Sequence, residues 1–330
     1  MLYLTHYQID FEKGKFNRLK TIFLHDPDKK IPFHIVNENT EKRYLTGADL
    51  DTESFQIINN SFFIGDEFGP YLIQTDMSGK VLNFYETQVN GKTIHSPDNY
   101  MIHTPGKPTE VINFEVKRSK GFEGMASSPD KTKLYPLLEG SLWNEKQQQY
   151  DNENGKQFLL ILEFDTMTKQ WTNNFWKYPL ESNDNAIGDF NMIDDTHGLV
   201  IERDNGEGIK EKACSSSNSA MKDCFNNLPK FKRIYLIKFT PEEVGKNVKK
   251  LAYIDLLDIK DPNKKALKPL SENTFKFPFF TIENVDIVDD KHIIVGNDNN
   301  LPFSSSRDPN QADDNEMILL NVESFLKAKQ

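Results

Sequence analysis

The sequence contains no apolar run that approaches the roughly 18 residues of a membrane span. It also has no excess of basic residues, since 40 lysines and arginines face 50 aspartates and glutamates and give a net charge of −10. A nucleic-acid partner requires a basic stripe to neutralise phosphates, so we expect none. The N-terminal segment MLYLTHYQIDFEKGK has no basic start and only a short apolar stretch, so we expect no signal peptide in this chain.

Several well-known catalytic motifs are missing as well. No GxSxG, HExxH, GxxxxGK[ST] or GxGxxG segment occurs, which disfavours an α/β-type serine hydrolase, a zinc protease and a nucleotide-binding domain. Only two cysteines are present, Cys214 and Cys224 in ACSSSNSAMKDCF, and they lack CxxC metal spacing. A local disulfide in an exported protein and two free thiols in a cytosolic loop are both open.

The chain does contain many short apolar segments separated by turn residues. Segments such as FQIINN, SFFIGD, PYLIQTD and QFLLILEFD alternate with clusters of Asn, Asp, Gly and Pro. Helical signals are few, chiefly TPEEVGKNVKKL (240–251) and the C-terminal VESFLKAKQ. A long polar loop runs over 203–229. The pattern predicts an all-β fold, a propeller or a sandwich, and we expect one domain over 1–330.

Four segments repeat one pattern, in which an acid begins a first strand and another acid ends a second strand. They are ESFQIINNSFFIGDE, EGMASSPDKTKLYPLLE, DFNMIDDTHGLVIE and ENVDIVDDKHIIVGND, over 53–67, 123–139, 189–202 and 283–298. Because both ends of an antiparallel hairpin lie at the same edge, each repeat places two acids at one rim. Repeated hairpins with further outer strands predict radial blades, and we expect a β-propeller of six blades, with seven as the alternative.

The same segments resemble a known family. TGADLDTESF, FFIGDEFGPYLIQTD, RSKGFEGMASSPDKTKLYPLLEG, AIGDF and LVIERDNGEG look like successive motifs of the phytase-like family, also named for an esterase-like activity of phytase. The resemblance is strongest over 46–300. It implies a β-propeller, secreted or periplasmic in bacteria, with a divalent-metal site and hydrolysis of phosphoesters or esters. Family members generally begin with an extra segment, so the first blade is expected to be incomplete.

The repeated acids predict a metal site if they converge at the mouth of a propeller channel. Several like charges within a few ångström cannot all stay ionised without a cation. Hard oxygen ligands in number select Ca²⁺, with Mg²⁺ as the alternative. The expected metal ligands are Glu67, Glu123, Glu202, Glu283 and Asn297. Glu139 and Asp298 are placed at the rim, and a solvated strand end is the alternative for any one acid.

Basic residues beside the acids predict contact with an anion. Arginine suits bidentate contact with phosphate or carboxylate, and a free carboxylate suits the role of general base. The expected substrate-binding residues are Arg118, Lys120 and His95, and the expected catalytic residues are Glu53, Asp189 and Arg203. Structural salt bridges to the neighbouring acids are the alternative for the basic residues.

These assignments lead to two functional hypotheses. The first is an exported, monomeric, Ca²⁺-dependent hydrolase that acts on a small anionic or ester substrate, a phosphoester or an ester, at the mouth of the channel. The second is a non-catalytic propeller whose calcium ion is structural and whose face binds a ligand or a protein. Basic residues beside the acids favour the first, because a structural ion needs no anion-binding groups.

Overall fold

The structure, a computed structural model, describes residues 1–215, 223–268, 270 and 273–329. The chain divides into two compact units. The first unit comprises Met1–Pro179 with Pro241–Asn247, and the second comprises Leu180–Thr240 with Val248–Gln330. The expectation of one domain over 1–330 stays a prediction.

The first unit contains two large antiparallel sheets and three small hairpins. Its strands are β1 (Tyr3–Asp10), β2 (Lys15–Phe23), β3 (Thr52–Ile58), β4 (Ser61–Asp66), β5 (Tyr71–Asp76), β6 (Val81–Glu86), β7 (Gln88–Val89), β8 (Lys92–Thr93), β9 (Phe122–Ser127), β10 (Lys133–Leu138), β11 (Trp143–Asn144), β12 (Gln149–Tyr150), β13 (Asn152–Glu153), β14 (Lys156–Asp165) and β15 (Gln170–Pro179). One sheet has the order β3-β4-β5-β6. In the other, β10 lies between β9 and β14, and β14 also pairs with β13 and β15.

The second unit also contains two large antiparallel sheets. Its strands are β16 (Ala186–Met192), β17 (His197–Arg203), β18 (Lys232–Lys238), β19 (Lys249–Asp255), β20 (Ile259–Lys260), β21 (Thr274–Phe275), β22 (Ile282–Ile287), β23 (His292–Asn297) and β24 (Met317–Asn321). The sheets have the orders β16-β17-β18-β19 and β22-β23-β24, and β20 pairs with β21.

Each large sheet is built from strands that pair mainly in chain order, which is how a β-propeller blade is made. Within each unit the first strands of the two sheets pack together, β3 with β9 and β16 with β22. The all-β prediction is confirmed, and the sheets have a β-propeller arrangement. The described residues form four blade-like sheets, so the predicted count of six or seven blades is not confirmed.

Burial along the strands follows their place in a sheet. Every residue of β4 and of β17 is buried, because neighbours cover both faces of an inner strand. Exposure alternates with partial burial along the outer strand β19. In the first unit, apolar side chains fill the space between its two large sheets; they are Ile58, Phe63, Leu72, Met125, Leu134 and Phe164.

The helix predictions have mixed outcomes. The helix predicted over 240–251 is wrong, since only Pro241–Glu243 forms a 3-10 turn and Lys249 already begins β19. The C-terminal prediction is confirmed as a single α-helical turn, Glu323–Leu326, followed by a 3-10 turn, Lys327–Lys329.

The polar loop 203–229 is only partly irregular. It contains a 3-10 turn, Lys210–Lys212, and a disulfide between Cys214 and Cys224. The two cysteines are therefore bonded to each other and are not free thiols. Residues 216–222, which include most of the serine-rich stretch, lie outside the described residues.

The first hairpin of each blade-like sheet contains the same irregularity. One extra residue bulges from the first strand, near the edge at which the two ends of the hairpin lie. The residues on either side of the bulge pair with consecutive residues of the second strand. The bulged residues are Glu53, Glu123, Gly188 and Glu283. These four positions are therefore structurally equivalent.

The bulges correct the sequence alignment of the third repeat at its start. The alignment matches Asp189 with Glu53, Glu123 and Glu283, but Gly188 occupies the bulge. Asp189 is one residue further along and is equivalent to Ser54 of the first repeat.

The end of the third repeat shifts in the same way. The residue before each bulge pairs with a residue of the second strand; these partners are Asp66, Leu138, Glu202 and Asn297. Glu202 is thus equivalent to Asp66 and not to Glu67. The residue equivalent to Glu67 and Glu139 in the third repeat is Arg203.

Side-chain amides link the paired sheets at equivalent positions in both units. The Nε2 of Gln56 donates a hydrogen bond to the carbonyl of Met125 at 2.7 Å, and the Nδ2 of Asn191 donates to the carbonyl of Val285 at 2.8 Å. Gln56 and Asn191 stand three residues after the equivalent bulges. Each bond satisfies a carbonyl of the neighbouring first strand and so fixes the two sheets of a unit against each other.

Gly188 is the bulge residue at which the backbones come closest. A Cβ added there would lie 1.8 Å from the carbonyl oxygen of Ile282, whereas nothing lies within 4 Å of a Cβ added at Gly47. We expect Gly188→Ala to lower the free energy of unfolding by about 1–3 kcal/mol or more, because the strands must move apart. Gly47→Ala should change it by no more than about 0.5 kcal/mol. Urea denaturation of both variants measures this, and equal effects would contradict the bulge contact.

Candidate metal centre

Three buried glutamates meet at the bulged edge of the first unit. Glu67 follows β4, Glu139 follows β10, and Glu123 is the bulge of β9. One carboxylate oxygen from each lies within 4.8 Å of the other two. The residues are 5%, 7% and 6% exposed, so the charges are largely removed from water. We call these three residues the acid triad.

The backbone around the acid triad explains how the acids come together. The N–H of Glu67 donates to the carbonyl of Asp51, and the N–H of Glu139 donates to the carbonyl of Gly121, both at 2.8 Å. These bonds are equivalent in the two hairpins. A Cβ at Gly121 would lie 2.6 Å from the Cα of Glu67, so glycine lets the start of β9 approach the end of β4.

One cation lies beside the acid triad. Lys120 forms an ion pair with Glu139, and its side chain is 40% exposed. Burial alone would lower the pKa of Lys120, but the carboxylates of Glu139, Glu67 and Glu123 raise it. One ammonium group therefore faces three carboxyl groups.

The pKa of Glu67 in the acid triad is strongly raised. Burial, followed by repulsion from Glu139, raises the pKa of Glu67 to about 9. Its Oε1 is buried and has no hydrogen-bond partner among the described residues. A buried oxygen without a partner is costly, so this atom indicates a missing proton donor or a cation.

The acid triad fits a calcium ion. Three carboxylates offer up to six oxygens, and Ca²⁺ takes six to eight at about 2.3–2.6 Å, which allows ligand oxygens to be about 5 Å apart. Mg²⁺ binds at about 2.0–2.1 Å and requires a more compact set. Oxygens that lie within 4.8 Å of one another are compatible with Ca²⁺.

The second unit neutralises the equivalent position in a different way. Arg203, the counterpart of Glu67, donates from Nη2 to the Oε1 of Glu283 at 3.2 Å. Their side chains are 6% and 15% exposed. Glu283 is the counterpart of Glu123, so a guanidinium replaces one of the two neighbouring carboxylates. The second unit has its own cation where the first unit has a third acid.

Two predicted metal ligands instead hold the backbone of the second unit. The carboxylate of Glu202 accepts from the N–H of Glu181 at 2.6 Å and pairs with Lys250 at 2.8 Å. Asn297 donates to backbone carbonyls and accepts from the N–H of Glu316 at 2.7 Å. These contacts explain both residues without a metal. Of the five predicted ligands, Glu67 and Glu123 belong to the acid triad.

The predicted catalytic residues have different environments. Glu53 is exposed at its bulge and shares a hydrogen bond with the carboxyl group of Asp51. Asp189 accepts from the backbone N–H groups of Val285 and Phe190 at 2.9 and 2.7 Å, and burial raises its pKa to about 7. The oxygens of Asp189 are therefore engaged in joining β16 to β22, while Glu53 faces solvent.

Each predicted substrate-binding residue lies beside an acid. Lys120 pairs with Glu139, and Arg118, which is 65% exposed, pairs with Asp98. The ring Nδ1 of His95 lies 3.6 Å from Glu115. The salt-bridge alternative therefore describes both basic residues in this structure, although their exposure leaves them accessible to a ligand.

Sequence reasoning missed Glu139 as a potential ligand and placed it at the rim. The repeat pattern could have identified Glu139, because it ends the second repeat at the position that Glu67 occupies in the first. The alternative given for Lys120, a salt bridge to a neighbouring acid, is the contact that it makes with Glu139.

A family comparison completes this description. A model of the phytase-like family, described as "Esterase-like activity of phytase", matches residues 1–301. The chain belongs to the phytase-like family. The match begins at residue 1, so the N-terminal 45 residues, which lie outside the strongest resemblance in sequence, are part of the matched region.

Other comparisons add little. A search of curated proteins found no match. Among solved structures, an endo-arabinanase of glycoside hydrolase family 43 from Bacillus licheniformis is similar, with 9% identity and a TM-score of 0.26 over 81% of this chain and 92% of that chain. At this TM-score nothing about fold or activity is transferred. No helix among the described residues is long and apolar enough to cross a membrane.

The raised pKa of Glu67 has a consequence for stability without metal. Between the ordinary pKa of 4.5 and about 9, the folded state binds a proton that the unfolded state has released. The free energy of unfolding should therefore fall as the pH rises from about 5 to about 8. Glu67→Gln removes this group and should reduce the fall by about 1 kcal/mol or more. Urea denaturation of both proteins in chelator at several pH values measures the fall in the free energy of unfolding. Parallel plots of this free energy against pH would contradict the assignment of the raised pKa to Glu67.

Proposed function

We propose that the protein is a Ca²⁺-dependent hydrolase of phosphoesters or esters whose metal is held by Glu67, Glu123 and Glu139. The buried acid triad, with an unpartnered oxygen on Glu67 and one lysine as counter-ion, is the observation that carries this proposal. Family membership supports the reaction class. Mg²⁺ is the alternative ion.

The residues around the acid triad have distinct proposed roles. When bound, the ion supplies Lewis-acid stabilisation of negative charge. Lys120 and Arg118, on the exposed segment before β9, bind and orient the anionic or carbonyl oxygens of the substrate. The exposed carboxylate of Glu53 accepts the proton of the attacking water, and Asp51 orients it through their hydrogen bond. Asp189 and Arg203 have no part in this proposal, because their contacts within the second unit already account for them.

A second candidate function is a non-catalytic propeller whose calcium ion is structural and whose face binds a ligand or a protein. The deep burial of the acid triad favours it, since each acid is no more than 7% exposed. An ion in such a site has few positions left for a substrate, and Lys120 then serves only as a counter-ion.

We further propose that the protein is secreted or periplasmic and acts as a monomer on a small anionic or ester substrate. The disulfide between Cys214 and Cys224 supports export, because disulfides persist in oxidising compartments. The net charge of −10 supports the absence of a nucleic-acid partner.

Calcium binding can be tested together with its ligands. Saturating Ca²⁺ should raise the Tm of the chelated protein by about 5 °C or more, because an ion that binds only the folded state stabilises it. Glu123→Gln and Glu139→Gln should reduce this shift to near zero. Glu153→Gln is the matched control, since Glu153 is half-exposed in the same unit and pairs with Lys177. Differential scanning calorimetry of the four proteins measures the shift.

Catalysis can be tested with nitrophenyl phosphate and nitrophenyl acetate. We expect chelator to abolish hydrolysis, Ca²⁺ to restore it, and Lys120→Met to lower kcat/KM for the phosphate by about 10²-fold or more. Activity that ignores chelator would contradict the proposed hydrolase. A calcium-raised Tm without activity on either ester would favour the structural-ion function.

A further inference from the structure

Lys120 lies between the acid triad and the solvent. Its ammonium group forms an ion pair with Oε2 of Glu139. The Lys120 side chain is 40% exposed, whereas the side chain of Glu139 is only 3% exposed. The ammonium group can therefore move out into water, but the carboxylate cannot follow it.

The backbone places Lys120 directly against the segment that carries Glu139. The N–H of Gly140 donates to the carbonyl of Lys120 at 3.0 Å, and a Cβ added at Gly140 would lie 2.8 Å from the Cβ of Lys120. The stem of a lysine contains four carbons with rotatable bonds. The ammonium group can thus leave or rejoin Glu139 by side-chain rotation while the backbone stays in place.

The ammonium group of Lys120 acts on the whole acid triad. The carboxylates of Glu139, Glu67 and Glu123 all raise the pKa of Lys120, in this order of size, against the lowering effect of its burial. A divalent ion held by the same three carboxylates places two positive charges at the position that the ammonium group now neutralises. Two cations a few ångström apart repel each other strongly in a buried site, so both cannot hold Glu139 equally well.

We propose that Ca²⁺ and the ammonium group of Lys120 compete for Glu139, and that binding of the ion releases Lys120 to bind the anionic group of the substrate. This inference rests on the proposed function for its metal site and adds a regulation of the anion site by calcium. Binding of the ion and binding of the anion are then positively coupled, because each favours the arrangement in which Lys120 has left Glu139.

The competition predicts tighter binding of Ca²⁺ when the ammonium group is removed. Lys120→Met keeps an unbranched apolar stem and removes the charge, so the Kd for Ca²⁺ should fall by about fivefold or more. Lys133→Met is the matched control, since Lys133 pairs with Asp165 in the same unit and its side chain is 29% exposed. Isothermal titration calorimetry of the three proteins, freed of metal beforehand, measures the Kd.

The coupling is measured with phenylphosphonate, which resembles a phosphoester but cannot be hydrolysed as one. In the unsubstituted protein, saturating phenylphosphonate should lower the Kd for Ca²⁺ by about fivefold or more, and saturating Ca²⁺ should lower the Kd for phenylphosphonate by the same factor. Benzyl alcohol, which has the ring without the anionic group, should leave the Kd for Ca²⁺ unchanged.

Two substitutions at position 120 separate this coupling from a direct attraction between the ion and the anion. Lys120→Met leaves the direct attraction intact, so a coupling factor clearly below that of the unsubstituted protein assigns the difference to the lysine. Lys120→Arg keeps a positive charge on a long side chain and should retain most of the coupling. A merely structural lysine would change neither the Kd for Ca²⁺ nor the coupling factor in this way.

The outcomes distinguish this inference from the proposed function. An unsubstituted protein that binds no Ca²⁺ would overturn both. If it binds Ca²⁺, then an equal or weaker affinity in Lys120→Met, or an equal coupling factor in the two proteins, would overturn the competition alone. If Lys120→Met does not fold by circular dichroism, Lys120→Gln takes its place, and absence of coupling in the unsubstituted protein would by itself overturn the inference.

Discussion

Three carboxylates buried within 4.8 Å of one another are the constraint around which the first unit is arranged. Such a cluster is unstable unless protons or a cation reduce its charge. The structure shows one partial solution, the ion pair of Lys120 with Glu139, and a second in the raised pKa of Glu67. The close approach of the backbones at Gly121 brings these carboxylates together. The backbone geometry is therefore the reason why this site needs protons or a cation.

The same backbone plan occurs in both units, with bulges at Glu53, Glu123, Gly188 and Glu283. The plan specifies where side chains point but not their charge. Amide bonds from Gln56 and Asn191 repeat with it. A common scaffold with different residues at matched positions explains why one edge has an acid triad and the other has an ion pair between Arg203 and Glu283.

Much of the fold could be predicted from the sequence, because turn residues and apolar runs specify short antiparallel strands locally. The repeated hairpins were found, and so were Glu67 and Glu123 as neighbours. One error came from a single-residue offset in the third repeat: a bulge at Gly188 cannot be read from composition, yet it moves Asp189 and Glu202 out of the predicted positions. Partners such as Lys250 for Glu202 depend on sheet order and register, which the pattern of one strand does not contain.

At equivalent positions the first unit has Glu67 and the second unit has Arg203. The buried carboxylates of the two units are therefore neutralised in different ways. The guanidinium of Arg203 is covalently attached, so Glu283 keeps its positive partner whatever the solution contains. The acid triad has no attached equivalent apart from one half-exposed lysine, so its charge state follows the ions and protons outside the molecule. The counter-charge of Glu283 is thus part of the chain, whereas most of the counter-charge of the acid triad has to come from outside it.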